Sequence, residues 1–337
     1  MTEKGEIVVS GYGRCILNER EEVELNRENR RTMRFARRSG RMFISALSQA
    51  VKMSGYNIEE GQKESRGVFY GEFMNLMSDE DHRKELFDLC KNKEDRFDGG
   101  CFFHGIVDYW STVEVLQDVP NIPCFLGAQI TKAGGPSETI MANCASGIYA
   151  LKAATDALNN NEIDVAFVGA ASAKNDPLEK EILNARGYFR NGDYAVVDGA
   201  AAMVLERRKD LEARGGTVMA EILDIRSSFC GGNGGFQGKG STVLEDMVRD
   251  SAACLEGEEF LYISGSISKR HVAGEIAAVS KIMGQNLWSE GYKDKKGYTF
   301  AASGLLEIIG WMESSEKNPA IIATFGYGGN NGCVVVR

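Results

Sequence analysis

The sequence has few histidines, few prolines and no long apolar run. Only three of its 337 residues are histidine (His82, His104 and His271), and none has a second His or a Cys at zinc-site spacing. No apolar stretch reaches the ~18 residues that a membrane span needs. The N-terminus also lacks the basic flank and apolar segment of a secretory signal. We therefore expect a cytoplasmic protein with no metal or other cofactor and no membrane partner.

Basic charge is also in deficit. The net charge is −9 and the pI is about 5.2, which argues against a nucleic-acid partner because that surface needs clustered Lys and Arg. The eight cysteines are scattered without a CxxC pair, so we expect reduced thiols rather than a disulfide framework. One local exception is an arginine-rich stretch at 27–41, which is either a solvated face or a docking surface for an acidic partner.

Glycine is plentiful, with 39 residues beside only five prolines, and apolar runs alternate with amphipathic segments. This alternation predicts an α/β protein with mostly buried sheets. A strand over Ile7–Ser10 ends in a predicted turn at Gly11-Tyr12-Gly13, and a helix is predicted over Arg30–Gly55. The second half repeats the layout, so we predict two similar halves, 1–210 and 211–337, without an evident sequence repeat. The principal predicted segments in the middle and second half are Glu138–Ala142, Cys144–Asn160, Asp164–Ala173, Gly199–Leu205, Thr217–Ile225, Thr242–Leu255, Phe260–Gly265, His271–Met283, Ser303–Glu313, Ala320–Phe325 and Cys333–Val336.

The segment Ile140–Gly147 has the pattern of a nucleophile elbow. A predicted strand ends, Cys144 follows, and a helix begins beside it. A thiol at a helix N-terminus is favoured as thiolate, and the free N–H groups there can bind an oxyanion. The small residues Ala145, Ser146 and Gly147 allow a tight turn and close approach of a substrate. The alternative from these residues alone is a buried structural cysteine.

The motif Ala142-Asn143-Cys144-Ala145-Ser146-Gly147 resembles the active-site cysteine of β-ketoacyl-ACP synthases, the condensing enzymes of the thiolase fold. Further landmarks of that family follow in the same order along the chain. They are Gly11-Tyr12-Gly13, the helix at Arg30–Phe35, Gly134-Gly135-Pro136-Ser137, Asp164–Gly169, Tyr194–Ala201 and Phe325-Gly326-Tyr327-Gly328-Gly329-Asn330-Asn331. The resemblance implies a five-layer α/β/α/β/α fold from two pseudo-repeated halves. It also implies acyl-carrier-protein or coenzyme A thioesters as substrates, in fatty acid or polyketide biosynthesis.

Two departures from the family pattern fall on its catalytic histidines. Ser264 stands where the first His is expected, and Tyr298 stands where the second is expected. Lys293 matches the family's active-site lysine, and Glu275 and Glu307 match its glutamates. The resemblance therefore implies a catalytic set of Cys144, Ser264, Tyr298 and Lys293, with an oxyanion and acyl pocket at Phe325, Tyr327, Gly328 and Gly329. Neither hydroxyl replaces an imidazole as a base near neutral pH, so we expect impaired decarboxylation of malonyl thioesters.

Three functions remain open from the sequence. One is an acyltransferase that forms a thioester on an accessible Cys144; another is a non-catalytic partner similar to the chain length factor of ketosynthase heterodimers. The third is a thioester-binding protein without turnover. The family resemblance further implies a homodimer or a heterodimer with a complete ketosynthase, and we expect Cys101–Val107 and Cys124–Ile130 to contribute to its interface.

Overall fold

The computed structural model describes most of the chain. The described residues are 6–17, 33–73, 88, 90–91, 94, 96–102, 112–117, 119–173, 181, 184–185, 193–230, 242–255, 257–283, 287–288, 291–316, 318–326 and 328–337. Within these ranges no helix has both the length and the apolar character that crossing a membrane requires. The charged segment Asp79–Phe97, for which the sequence predicts a helix, lies mostly outside the described residues.

In the first half, strands and helices alternate as the apolar runs predict. The elements are strand β1 (Ile7–Leu17), helix α1 (Arg38–Ser54), strand β2 (Arg66–Glu72), helices α2 (Thr112–Gln117) and α3 (Ile122–Thr131), strand β3 (Ser137–Ile140), helix α4 (Ser146–Asn159), and strands β4 (Val165–Ser172) and β5 (Asp198–Arg207). Every residue of β4 and β5 is buried, which explains why both segments are almost continuously apolar.

The second half follows the same alternation. Its elements are helix α5 (Arg208–Ala213), strand β6 (Ala220–Phe229), helix α6 (Thr242–Ala252), strand β7 (Leu261–Ile263), helix α7 (Lys269–Met283), strand β8 (Leu287–Trp288), helices α8 (Tyr292–Lys296) and α9 (Ser303–Met312), and strands β9 (Ala320–Phe325) and β10 (Asn330–Val336). Helices α2, α3, α5 and α8 do not appear among the sequence-based predictions.

The strands of the two halves have the same topology. Among the described residues, one ten-stranded sheet runs in the order β3-β2-β4-β5-β1-β6-β10-β9-β7-β8. Counting the strands within each half, the third lies at the outer edge of the sheet. The second, fourth, fifth and first follow it toward the centre, and the fifth is antiparallel to the fourth. The halves meet where β1 pairs with β6. This repeated order confirms the predicted pseudo-repeated halves; the boundary at residue 210 stays a prediction.

Three core clusters divide these elements into layers. Helices α4 and α9 lie between the halves, where Ile148, Leu151 and Leu305 pack against sheet residues such as Val168 and Ile322. Helices α1 and α3 cover the outer face of the first half, and α6 and α7 cover that of the second. Because successive strand residues face opposite sides of a sheet, each half is sandwiched between two helical layers. The result is the predicted α/β/α/β/α architecture.

The N-terminal strand corrects one prediction. Gly11-Tyr12-Gly13 does not turn; β1 continues to Leu17 and pairs with β5 through a register shift between Val9 and Gly11. A Cβ at Gly13 would lie only 2.1 Å from the Ala46 carbonyl oxygen of α1. The glycine therefore allows a helix to pack closely on the strand. Helix α1 also begins at Arg38, later than predicted, and residues 30–32 lie outside the described residues.

Candidate active site

Cys144 lies in the tight connection between β3 and α4. A 3-10 turn spans Asn143–Ala145, and α4 begins directly after it at Ser146. Asn143 has a left-handed φ of 54°, a conformation that Asn adopts more readily than most residues. The Ser146 hydroxyl accepts a hydrogen bond from the Ala142 N–H at 2.8 Å, which fixes the turn. The structure thus forms the elbow that the sequence predicts, with the helix starting two residues later.

Aromatic side chains enclose the thiol. Cys144 is only 1% exposed, which corrects the expectation of an accessible nucleophile. The Tyr298 hydroxyl lies beside the Cys144 thiol, and burial, reinforced by this thiol, raises the pKa of Tyr298 well above its ordinary value. The Tyr298 ring lies 5.2 Å from the Phe300 ring and 6.4 Å from the Tyr194 ring, between centroids, and Phe73 packs on Phe300 at 5.2 Å. Tyr298 therefore stays protonated at neutral pH and acts as a donor, not a base.

Ser264 belongs to a buried hydroxyl–carboxylate cluster around Glu275. The Ser264 hydroxyl donates to a Glu275 carboxylate oxygen at 2.5 Å and accepts from the Ser266 N–H at 3.0 Å. Glu275 also accepts hydrogen bonds from the Tyr262 hydroxyl, the Ser266 hydroxyl and the N–H groups of Gly265 and Ser266. Glu275 is 0% exposed, and a buried carboxylate needs such donors. The single hydroxyl hydrogen of Ser264 is consequently used inside this cluster.

Lys293 is held in a buried ion pair. Its Nζ lies 3.3 Å from a Glu307 carboxylate oxygen, and both side chains are 3% exposed. The same ammonium donates to the Ser264 carbonyl oxygen, while the Glu307 carboxylate also accepts the Lys293 N–H at 3.1 Å. The positive charge is therefore balanced locally, and Lys293 links the Ser264 backbone to α9.

The glycine-rich loop after β9 lies against the cysteine turn. Gly328 has a φ of 114°, and a Cβ there would lie 2.7 Å from the Asn143 amide nitrogen. Gly329 has a φ of 93° and accepts a hydrogen bond from the Cys230 N–H at 2.8 Å. Both positions require glycine. Tyr327, the central residue of the predicted oxyanion site, lies outside the described residues.

Phe325 packs away from the thiol. Its side chain is 3% exposed and belongs to the core cluster beneath α6 and α7, together with Leu244 and Cys333. Cys144 belongs to the central cluster between the halves. Phe325 therefore supports the loop from the outer face of its strand, whereas the family resemblance implies a place for its side chain in an acyl pocket.

A second elbow faces the first one. Residues Phe300–Gly304 lead into α9 in the same way as residues Asn143–Gly147 lead into α4. The two sequences are Phe-Ala-Ala-Ser-Gly and Asn-Cys-Ala-Ser-Gly. Phe300, like Asn143, has a left-handed φ, here 47°, which is unusual for a bulky residue and marks strain. The two turns pack together, and a Cβ at Gly147 would lie 2.6 Å from the Ala301 carbonyl oxygen. The duplication therefore extends to the site, with Ala301 in the place of the cysteine.

The structure brings part of the predicted site together directly. Tyr298 contacts Cys144, and Lys293 contacts the backbone of Ser264. Sequence reasoning did not single out Tyr194, Phe73 or Phe300 as residues of the site. Their sequence signal is position: Phe73 directly follows β2, Tyr194 begins a family landmark, and Phe300 lies two residues after Tyr298.

Comparison of the sequence with known protein families identifies the family of this chain. The family model described as Beta-ketoacyl synthase, N-terminal domain, matches residues 22–211. The tetracenomycin polyketide synthase ketoacyl synthase alpha subunit of Streptomyces glaucescens is 26% identical over 232 residues, covering 60% of this chain and 54% of that protein. The chain spans only 6% to 14% of several longer polyketide synthases that it also matches.

Two solved structures share the fold over nearly the whole chain. One is a type II polyketide synthase acyl-carrier protein in complex with its ketosynthase, with a TM-score of 0.78 and 16% identity. The other is the ishigamide ketosynthase/chain length factor, with a TM-score of 0.76 and 15% identity. Each alignment covers 99% of both chains. At this identity the likeness shows the ketosynthase-type, thiolase-like fold.

Proposed function

Since the chain belongs to the β-ketoacyl synthase family, we propose that it is a catalytically incomplete member that acts as the partner subunit of a complete ketosynthase. The observation that carries this proposal is the chemistry at the two positions where the family has histidines. The Ser264 hydroxyl donates to Glu275, and the Tyr298 hydroxyl lies buried beside the Cys144 thiol. Neither side chain takes up a proton near neutral pH.

Decarboxylative condensation requires an enolate oxygen to be stabilised after carbon dioxide leaves. Loss of one oxyanion donor costs about 10²–10³ in rate. In this chain the hydrogen of Ser264 already has a buried acceptor at 2.5 Å, so redirecting it breaks a charge-assisted hydrogen bond. Tyr298 offers one hydroxyl hydrogen at the position of the second imidazole. The site is therefore poorly suited to decarboxylate a malonyl thioester by itself.

The edge of the sheet supports a partner subunit. β3 is the outermost strand of the described sheet and pairs with β2 on one side. Met141 at its end is 48% exposed, and Phe125 on α3, which packs against β3, is 52% exposed. An open strand edge flanked by large apolar side chains favours pairing with another chain. α3 coincides with the predicted interface segment Cys124–Ile130; of the other segment, residues 103–107 lie outside the described residues.

The solved relatives provide the chemistry of the partners. One structure pairs a ketosynthase with an acyl-carrier protein, and another pairs a ketosynthase with a chain length factor. By extension, this chain pairs with a complete ketosynthase and shares its acyl-carrier-protein thioesters. A stable interface of this kind buries about 2,000 Å² or more.

Co-expression tests the partner proposal. A tagged copy of the chain is expressed with each complete ketosynthase of the same genome, and the eluted complexes are sized by light scattering. We expect a 1:1 complex with one of them, and Met141→Lys abolishes it while Glu162→Lys, on an exposed turn, leaves it intact. Recovery of the chain only as a monomer or as a homodimer contradicts the proposal.

Acyl transfer to Cys144 is the second candidate, favoured by the intact elbow at the start of α4. In this reaction the Cys144 sulfur bonds the acyl carbon, and the carrier thiol leaves with the proton that the cysteine loses. Intact-mass spectrometry after incubation with acyl-carrier-protein or coenzyme A thioesters tests it. An acyl adduct absent from Cys144→Ala supports this candidate, and an unmodified wild-type chain excludes it.

A further inference from the structure

We propose that Tyr194 is the gate between solvent and Cys144, and that Asp193 and Lys269 hold this gate closed. The inference rests on the proposed function only in taking Cys144 as the thiol of a ketosynthase-type site. It assigns regulation of access to residues outside the catalytic set. Four side chains form the route: exposed Lys269, nearly buried Tyr194, and the fully buried Tyr298 and Cys144.

Contacts along this route are continuous. The Lys269 Nζ lies 5.5 Å from the centroid of the Tyr194 ring, within the range of a cation–π contact. The Tyr194 ring stacks on Tyr298 with an interplanar angle of 20°, and Tyr298 lies beside Cys144. The buried Lys293 ammonium lies 5.8 Å from the same Tyr194 ring. Tyr194 thus lies between the buried site and a surface cation and contacts both.

Asp193 anchors the gate to helix α7. One of its carboxylate oxygens accepts hydrogen bonds from the Ser268 hydroxyl at 2.6 Å and from the Lys269 N–H at 2.9 Å. These bonds join the backbone beside Tyr194 to the first turn of the helix that carries Lys269. Tyr194 is 6% exposed and Cys144 is 1% exposed, so the anchored state is the closed one. The gate opens when Tyr194 moves away from Tyr298, because Tyr298 lies between Tyr194 and the thiol.

Alkylation of Cys144 by iodoacetamide measures this gate directly. Peptide mass spectrometry gives the rate at each cysteine, with Cys144→Ala as the blank. We expect Tyr194→Ala to raise the Cys144 rate at least about tenfold and Lys269→Ala to raise it about 2- to 5-fold, as loss of one exposed cation–π contact implies. Tyr194→Phe keeps the ring and stays near the wild-type rate.

Tyr56 provides a matched control because its ring also lies beside two cations, Arg66 at 5.4 Å and Arg214 at 5.6 Å. It packs in the outer core of the first half, so Tyr56→Ala leaves the Cys144 rate unchanged. A wild-type rate in both Tyr194→Ala and Lys269→Ala overturns the proposal. So does a parallel rise at the buried Cys124, because that indicates general loosening. Alkylation needs no partner subunit and no acyl carrier. The gate can therefore be confirmed or refuted even if the proposed function is wrong.

Discussion

Replacing Glu275 should damage the protein more than any other single change at the site, and its hydrogen bonds set the size of the effect. Its carboxylate accepts hydrogen bonds from the hydroxyls of Tyr262, Ser264 and Ser266 and from two backbone N–H groups. Each buried donor left without an acceptor costs about 1–3 kcal/mol. Glu275→Ala therefore lowers the free energy of unfolding by about 4 kcal/mol or more.

Glu275→Gln gives a smaller and more informative loss. The glutamine oxygen can still accept from Tyr262 and the Gly265 N–H, which leaves its NH₂ group facing Ser264 and Ser266. Those hydroxyls can rotate to accept, and the Ser266 N–H retains the Ser264 oxygen at 3.0 Å. We expect a loss of about 1–2 kcal/mol, roughly that of weakening charge-assisted bonds to neutral ones.

Urea unfolding monitored by circular dichroism, compared at one urea concentration near the midpoints, measures both losses. Glu258→Ala is the control, because Glu258 is exposed and pairs only at the surface with Arg337; its effect stays within about 0.5 kcal/mol. If Glu275→Ala costs less than about 1 kcal/mol, the cluster does not hold the site as described, and the assignment of the Ser264 hydrogen to Glu275 is wrong.

Three further predictions concern chemistry, pH and assembly. Restoring both imidazoles with Ser264→His and Tyr298→His should raise malonyl decarboxylation above that of the wild type, measured as carbon dioxide release; no rise would show that the pocket lacks more than its histidines. Burial raises the pKa of Cys124 to about 11 and of Cys333 to about 12, so the unfolded thiols lose protons first. Above pH 9 the ionisation of each thiol should therefore lower the free energy of unfolding by about 1.4 kcal/mol per pH unit, up to the pKa of that thiol in the folded state. Replacing either cysteine with alanine should make this decline with pH less steep. An unchanged slope, measured by urea unfolding, would refute the prediction. Met141→Lys should leave the melting temperature within about 2 °C and abolish the complex with the partner ketosynthase in light scattering, whereas an unchanged complex would exclude the β3 edge.

The sequence predicts the layered fold well because buried strands and amphipathic helices have distinct periods. The runs at β4 and β5 are almost continuously apolar, and both are buried strands. Gly11 and Gly13 illustrate the limit. These two glycines predicted a turn, but they are needed because helix α1, which follows later in the sequence, packs closely on the strand. Local patterns do not reveal which long-range contact requires a glycine.

At the site, the motif locates Cys144 and the packing determines its environment. The elbow follows from the order strand, cysteine, small residues and helix, and the structure contains it. Enclosure by Tyr194, Phe73 and Phe300 depends on three separate chain segments meeting. The hydrogen-bond partner of Ser264 was equally unpredictable, because its hydroxyl donates to Glu275, which lies on α7. The residue types were predictable, whereas the direction of their hydrogen bonds was not.

The most direct test of the account is malonyl decarboxylation by the purified chain alone. Malonyl-acyl-carrier protein labelled with ¹⁴C in its free carboxylate is incubated with the wild type and with Cys144→Ala, and released carbon dioxide is counted. The account predicts equal release from the two proteins, because neither Ser264 nor Tyr298 supplies what two imidazoles supply. Release by the wild type at a rate of order 1 per second or faster, abolished in Cys144→Ala, would contradict it.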